Sequence, residues 1–442
     1  MTPPLSLDPA HTRILDVDPL IDDPKTRIVV CCGSGGVGKT TTAAALGLRA
    51  AERGRKVVVL TIDPARRLAQ SMGIDSLDNT PRRVKGIEPV EGAEGGELHA
   101  MMLDMKRTFD EIVEAHADGQ RAEAILGNPF YQSLSAGFAG TQEYMAMEKL
   151  GQLRARDEWD LIVVDTPPSR SALDFLDAPK RLGSFLDGKL IRILMAPAKV
   201  GGRAGMKFLN VGMSMMTGAL GKLLGGQLLR DVQTFVAAMD TMFGGFRTRA
   251  DATYKLLQAP GTAFLVVAAP ERDALREAAY FVERLAAEDM PLAGLVLNRV
   301  HGSGAAQLSA ERALAAAENL DERGIVDQEA GNVELRTPEE AAPTDDTTTT
   351  ATAPQATAAT TTPAAPPAPA PTDQLTAALL RLHAERMQLL AREQRTRDRF
   401  AALHPEVAVT EVGALPGDVH DLAGLRTIGD RLAAGSDPAG AV

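Results

Sequence analysis

The sequence predicts an α/β fold: a P-loop NTPase with a mostly parallel, doubly wound sheet and a helical insert subdomain. Three observations predict it. The apolar run Ile28–Cys32 enters Gly33-Ser34-Gly35-Gly36-Val37-Gly38-Lys39-Thr40-Thr41, and an Ala/Leu-rich segment follows. That order is the strand, glycine-rich loop and helix of a phosphate-binding site. Short β-branched runs then alternate with helical segments early and late in the chain, the pattern of a parallel sheet covered on both faces. Four of these runs end at Gly33, Asp63, Asp165 and Asn298, and in such sheets ligands collect at the carboxyl ends of the strands.

Composition narrows the function classes. A chain of 442 residues has room for two or three domains and a large core. Its net charge of -11 argues against a generalised nucleic-acid surface. The two cysteines, Cys31 and Cys32, are adjacent. Neighbours in a strand point to opposite faces, which argues against a disulfide and for a reducing compartment. The start, Met1-Thr2-Pro3-Pro4, lacks the charged beginning and apolar centre of a signal peptide. The apolar stretch 208–221 is closed by Lys207 and Lys222, and is shorter than the roughly 18–20 residues a membrane span needs. The expected location is cytoplasmic, free or peripheral at the inner face of the membrane.

In chain order, residues 1–26 contain Pro and Asp and read as a flexible arm. Strand 27–32, the loop and a helix from Lys39 to Arg53 follow, ended by Gly54. Lys56 to Ile62 is a β-branched run closed by Asp63-Pro64, and Leu98 to Leu103 suggests another strand. Helices are expected over 106–117 and 142–154, and Asp160 to Val164 is a buried strand that delivers Asp165-Thr166-Pro167-Pro168. From Thr262 the alternation resumes: strand 263–268, helix 274–287 and strand 292–297, ending at Asn298-Arg299.

Between 171 and 257 strand signals vanish and Met195, Met206, Met213, Met215, Met216, Met239 and Met242 accumulate. Two readings stand open. Met can fill a helical core, or it can line a groove for varied apolar partners, because the thioether chain repacks cheaply. Residues 336–372 are dominated by Ala, Pro and Thr, too poor in apolar surface to offset the entropy of ordering, and read as a disordered linker. Beyond it come a charge-rich amphipathic helix, 375–403, a strand, 407–415, and a short helix, 422–432. A lone helix–strand–helix cannot cover its own strand edges. The expected nucleotide domain therefore comprises 27–170, 258–335 and 373–442, with the linker an excursion within it.

The motif residues have distinct expected roles. The backbone N–H groups of Gly33 to Thr41 and the helix N-terminus aim at phosphates. Lys39 is expected at the β- and γ-phosphates, Thr40 on Mg²⁺, and Asp165 beside Thr40 as a Mg²⁺ residue acting through water. Asp63 is placed to orient an attacking water, which suits a reaction that needs positioning and charge stabilisation more than covalent help. The expected ligands are ATP and Mg²⁺.

Together, Gly33–Thr41, Thr61-Ile62-Asp63-Pro64-Ala65 and Asp165-Thr166-Pro167-Pro168 resemble the ArsA/Get branch of P-loop ATPases. That branch includes the bacterial arsenite-pump ATPase and the guided-entry ATPase for tail-anchored membrane proteins, and the resemblance is to a bacterial member. It implies that Asp63 is the first switch aspartate, Asp165 the second, and Asn298 the asparagine that reads adenine. It also implies that Pro416 lies in the adenine-side loop, that the Met-rich insert carries client-binding helices, and that the protein works as a nucleotide-driven dimer.

Two departures from the family pattern matter. The family loop usually begins Gly-Lys-Gly-Gly, and that lysine crosses to the partner's phosphates; here the position is Ser34. A homodimer would lack that cation, so a heterodimer with a related ATPase chain is the preferred expectation, with Arg66, Arg67 and Arg170 as alternative cation donors. Cys31 and Cys32 match neither the arsenite nor the zinc arrangement of the family, because soft-metal chemistry needs convergent thiolates. An arsenite-pump role is therefore disfavoured. The function expected is an ATPase coupled to an apolar client or a membrane-associated process. The alternatives are a MinD/ParA-like positioning ATPase and a weakly catalytic subunit of a heterodimer.

Overall fold

The computed structural model describes residues 13–62, 67–90, 95–135, 141–167, 248–331 and 371–435. Expectations for residues 1–12, Asp63, Arg66, Pro168, Arg170, the insert 171–247 and the linker residues 332–370 lie outside them.

Eight strands form one sheet: β1 (Ile28–Cys32), β2 (Lys56–Thr61), β3 (Arg82–Arg83), β4 (Glu97–Met102), β5 (Leu161–Asp165), β6 (Thr262–Ala268), β7 (Leu292–Val300) and β8 (Val409–Gly413). Their spatial order is β3-β4-β2-β5-β1-β6-β7-β8. Every pairing is parallel except the short β3–β4 edge. The central strands read Ile-Val-Val-Cys-Cys, Lys-Val-Val-Val-Leu-Thr and Leu-Ile-Val-Val-Asp because both faces are covered.

Alternation along β1 divides two cores. Ile28, Val30 and Cys32 join Phe109 and Ile112 of α4 (Met105–His116), Tyr144 and Met147 of α7 (Thr141–Arg156), and Phe281 of α9 (Arg272–Ala287). Val29 and Cys31 join Leu46 of α2 (Lys39–Glu52) and Leu425 and Ile428 of α12 (Leu422–Ala434) on the other face. Between these elements lie α3 (Arg67–Ser71), α5 (Gly119–Leu126), α6 (Pro129–Ser135) and a helix α8 over residues 248–258.

The expected flexible arm is corrected over residues 13–26. Its helix α1 (Val17–Asp22) buries Val17 and Ile21 and is capped by the Asp16 side chain. Leu15 N donates to Val409 O (3.0 Å) and Val409 N to Arg13 O (2.8 Å), so this segment lies along the outer strand. Arg49 binds Asp18 with Nη2 to Oδ2 at 2.8 Å, and that hydrogen bond holds the Asp18 carboxyl below its usual range. Pro and Asp suggested a loose chain; three apolar residues spaced to bury against the sheet decide otherwise.

The expected domain division is also revised. Among the described residues, 13–301 and 393–435 form one compact unit, and 302–392 belong to a second. The second unit contains α10 (Ala310–Gly331) and α11 (Pro371–Leu403) as far as Arg392. Ala313, Ala317, Ala377 and Ala384 are fully buried, and His383 Nε2 meets Leu308 O at 2.8 Å. The end of α11 and the strand expected over 407–415 belong to the first unit, where β8 pairs with β7. None of the described helices is long and apolar enough to cross a membrane.

Arg55 pins the amino-terminal segment to the residue before β5. It is 9% exposed, and its guanidinium donates to Ile21 O and Thr26 O, both at 2.7 Å, and to Asp160 O. Burial pulls its pKa below the usual arginine value. Truncation would leave four carbonyls, those of Ile21, Asp23, Thr26 and Asp160, without their charged donor. Arg55→Ala is expected to destabilise the protein by about 2–3 kcal/mol, read as a lower urea midpoint at unchanged slope.

Candidate nucleotide-binding site

The loop after β1 is shaped by two glycines. At Gly33, φ is +149°, and a Cβ would lie 2.1 Å from Val267 O of β6. At Gly38, φ is +94°, and a Cβ would lie 2.2 Å from Asn298 Nδ2 of β7. Any side chain at either position would push the loop off the neighbouring strand. Gly38 is also the N-cap of α2 and supplies no side-chain cap. The first N–H groups of that helix thus remain available for an anion, reinforced by the helix dipole.

Lys39, 5% exposed, spans the loop and donates from Nζ to Ser34 O at 2.8 Å. Thr40 Oγ1 donates to Asp165 Oδ2 at 2.7 Å, and Thr61 Oγ1 donates to the same oxygen at 2.9 Å. Asp165 is fully buried. Two hydroxyls on one carboxylate oxygen fix its orientation beside the loop. Next to it, Thr166 Oγ1 donates to Cys31 O at 2.9 Å and ties the residue after β5 to β1.

The other end of the site lies at β7 and β8. Asn298 donates from Nδ2 to Val37 O at 2.8 Å and sits inside β7, which runs three residues beyond the expected end at Leu297. The pairing with β8 slips between Asn298 and Val300, with Arg299 at φ +61°. A cavity of about 650 Å³ opens there, lined by Gly38, Thr41, Asn298, His301, Pro416 and Asp418 among others. That volume suits a small-molecule ligand.

The structure therefore gathers Gly33 to Thr41, Asp165, Asn298 and Pro416 at the carboxyl edge of β1, β5, β7 and β8. Asp63, two residues past the end of β2, is not among the described residues. Sequence reasoning assigned no role to Thr61, His301 or Glu393. Thr61 left a signal, as the one hydroxyl closing an apolar run. Glu393 left none, because its partner His301 is 92 residues away.

The comparisons with known proteins decide the family. The model of the anion-transporting ATPases (ArsA ATPase) matches residues 26–322. The chain belongs to that family. It is 26% identical over 299 residues to the ATPase GET3 of Podospora anserina, a match covering 66% of this chain and 80% of that one. A second relative, the ATPase GET3 of Malassezia globosa, is 30% identical over 167 residues, 38% of this chain and 46% of its own. A Mycobacterium tuberculosis protein, Rv2184c, is 32% identical over 170 residues, 37% of this chain and 40% of its own. As a member of the ArsA/Get-type ATPases, the chain is an enzyme that hydrolyses ATP.

The two cysteines lie within the core on opposite sheet faces, both fully buried. Burial pushes the Cys31 thiol well up, with the charge of Asp165 adding to it, and pushes Cys32 up to about 12. Thiolate is the reactive form, so a raised pKa and a closed environment both suppress chemistry. Neither thiol is expected to react with a water-soluble disulfide reagent at pH 8 in the native protein, while both react after denaturation. A thiol titration reads this directly.

Gly38→Ala tests the loop geometry. The added methyl must displace Asn298 or the loop itself, and both hold the site together. Affinity for ADP is expected to fall by at least about tenfold, as strain at positive φ and a lost hydrogen bond together imply. Titration calorimetry measures it.

Proposed function

We propose that the loop binds Mg²⁺-ATP, that hydrolysis opens and closes a dimer, and that the Met-rich insert handles an apolar client. The observation that carries this reading is the closed circuit at the loop: Lys39 on Ser34 O, and Thr40 with Thr61 on Asp165.

The Lys39 ammonium meets a neutral carbonyl at Ser34 O. An anionic phosphate oxygen adds the attraction of a second charge, so Lys39 exchanges Ser34 O for phosphate without the loop having to be built anew. Asp165 and Thr40 supply a carboxylate and a hydroxyl, the hard oxygen donors that suit Mg²⁺. Those two residues would hold the ion, Asp165 through water. Bound there, the ion offsets charge on the phosphate oxygens. Asp63 takes the water-orienting role, and Asn298 with Pro416 the base end.

What supports coupling to the insert is α7. Gln142, near its start, donates to Ile62 O at 3.1 Å, immediately before Asp63. Two turns on, Glu148 is 5% exposed, and accepts from Tyr144 Oη at 3.0 Å and from Arg249 Nε at 2.7 Å. Arg249 stands where the chain re-enters the described fold after the insert. One stiff helix thus touches the strand that leads into the first switch and the foot of the insert.

Ser34 supports a heterodimer over a homodimer. A cation supplied across an interface contributes about 10³–10⁵ in rate in related phosphoryl-transfer enzymes, and serine has no charge to supply. The chain alone is expected to hydrolyse ATP slowly, and Ser34→Lys to raise turnover by about 10² or more, with a rate that grows with protein concentration. Lys39→Ala and Asp165→Asn are expected to abolish that gain. Full turnover by the unaltered chain alone would overturn the heterodimer. Hydrolysis unchanged in Lys39→Ala would overturn the site itself. Steady-state phosphate release reads every arm.

A further inference from the structure

The wall of the 650 Å³ cavity holds a pair that the reading above does not use, His301 and Glu393. They come from elements far apart in the chain: the residue just past β7 and a buried position near the end of α11. Glu393 is 6% exposed, and its carboxylate grips His301 twice, at the ring Nδ1 (2.6 Å) and at the backbone N–H (3.3 Å). Burying a carboxylate is costly unless it is well partnered, and this one spends both oxygens on a single histidine at the cavity wall.

The tautomer follows from that grip. A carboxylate accepts, so in the neutral imidazole Nδ1 carries the hydrogen and Nε2 keeps its lone pair. A comparable constraint acts three residues earlier. The Asn298 amide commits Nδ2 to Val37 O, which leaves Oδ1 as an acceptor. Asn298 and His301, at and just past the end of β7, both line this cavity, and each carries an acceptor, Oδ1 and the Nε2 of the neutral ring, on a side chain fixed by a partner.

We propose that His301, positioned by Glu393, is a specificity-determining residue that selects a 6-aminopurine nucleotide over a 6-oxopurine one. The proposal rests on the nucleotide-site reading above. The exocyclic amino group of adenine carries two hydrogens and satisfies acceptors. The corresponding oxygen of guanine or hypoxanthine carries none and faces them lone pair to lone pair. A site built to hydrogen-bond one partner discriminates because the wrong one leaves its buried groups unpaired. Glu393 is a positioning residue: it decides which ring nitrogen carries the hydrogen.

The test is the affinity of the full chain for ADP, GDP and IDP with Mg²⁺, by titration calorimetry. Wild type is expected to prefer ADP. His301→Ala is expected to weaken ADP by about tenfold, the loss of one hydrogen bond, while GDP and IDP change by less than about twofold, so the selectivity ratio collapses. Glu393→Gln, whose amide no longer dictates the tautomer, moves the ratio in the same direction. His301→Gln, which returns an oxygen acceptor on a side chain of similar reach, recovers part of it. A merely structural role would weaken all three nucleotides together. An unchanged ratio in His301→Ala, with the ADP preference of wild type intact, overturns the proposal and leaves the site reading standing. Failure of wild type to bind any of the three removes the site reading and this inference with it.

Discussion

Strand register is the constraint on which this structure depends. Asp165 pairs with Thr61 on β2 and with Cys31 on β1 in the same parallel sheet. Side chains alternate along a strand, so a slip of one residue would turn the Asp165 carboxylate to the opposite face and put Val164 beside Thr61. The hydroxyls of Thr40 and Thr61 would then have no common acceptor. The register is held by what surrounds it: both faces of β1, β2 and β5 are filled by large apolar side chains, which leaves no alternative alignment that keeps them buried. Core packing and site chemistry are therefore one specification, written in the same short runs of residues.

Legibility from sequence followed the same logic. The contiguous parts were readable because their signals are local. Seven strands and the loop lie within a few residues of where their apolar runs and terminal polar residues put them, since a doubly buried strand has little else it can be. The two-residue β3 has no such run and was not read. The arm failed for a physical reason: Leu15, Val17 and Ile21 stand among acids and a proline without a run or period of their own, and the segment is held by Arg49, Arg55 and β8, contacts made across the fold. The second unit was missed because α11 is one continuous helix, and a division of contacts along it has no composition boundary.

The site shows the same split. Gly33 to Thr41 and Asp165 carry motif spacing, so chemistry could be assigned to them from their order alone. His301 and Glu393 carry none: a histidine after a strand and a glutamate in a charged helix are ordinary, and only the fold makes them neighbours. Asn298 is intermediate. Its position at the end of an apolar run drew notice, while its grip on Val37 O, which fixes the direction of its amide, belongs to the folded loop.

That grip explains how the two ends of the site form a single unit. Asn298 touches the loop at Val37 O, and its Nδ2 fills the space a Gly38 side chain would take. Gly38 is the N-cap of α2, whose first N–H groups have no side-chain cap. A ligand group that pulls on the Asn298 amide therefore acts on the same peptide units that set the mouth of the phosphate site. Lys39, the next residue, spans the loop to Ser34 O. The strand end at Asn298 and the loop are thus joined through one side chain and three consecutive residues, Val37, Gly38 and Lys39.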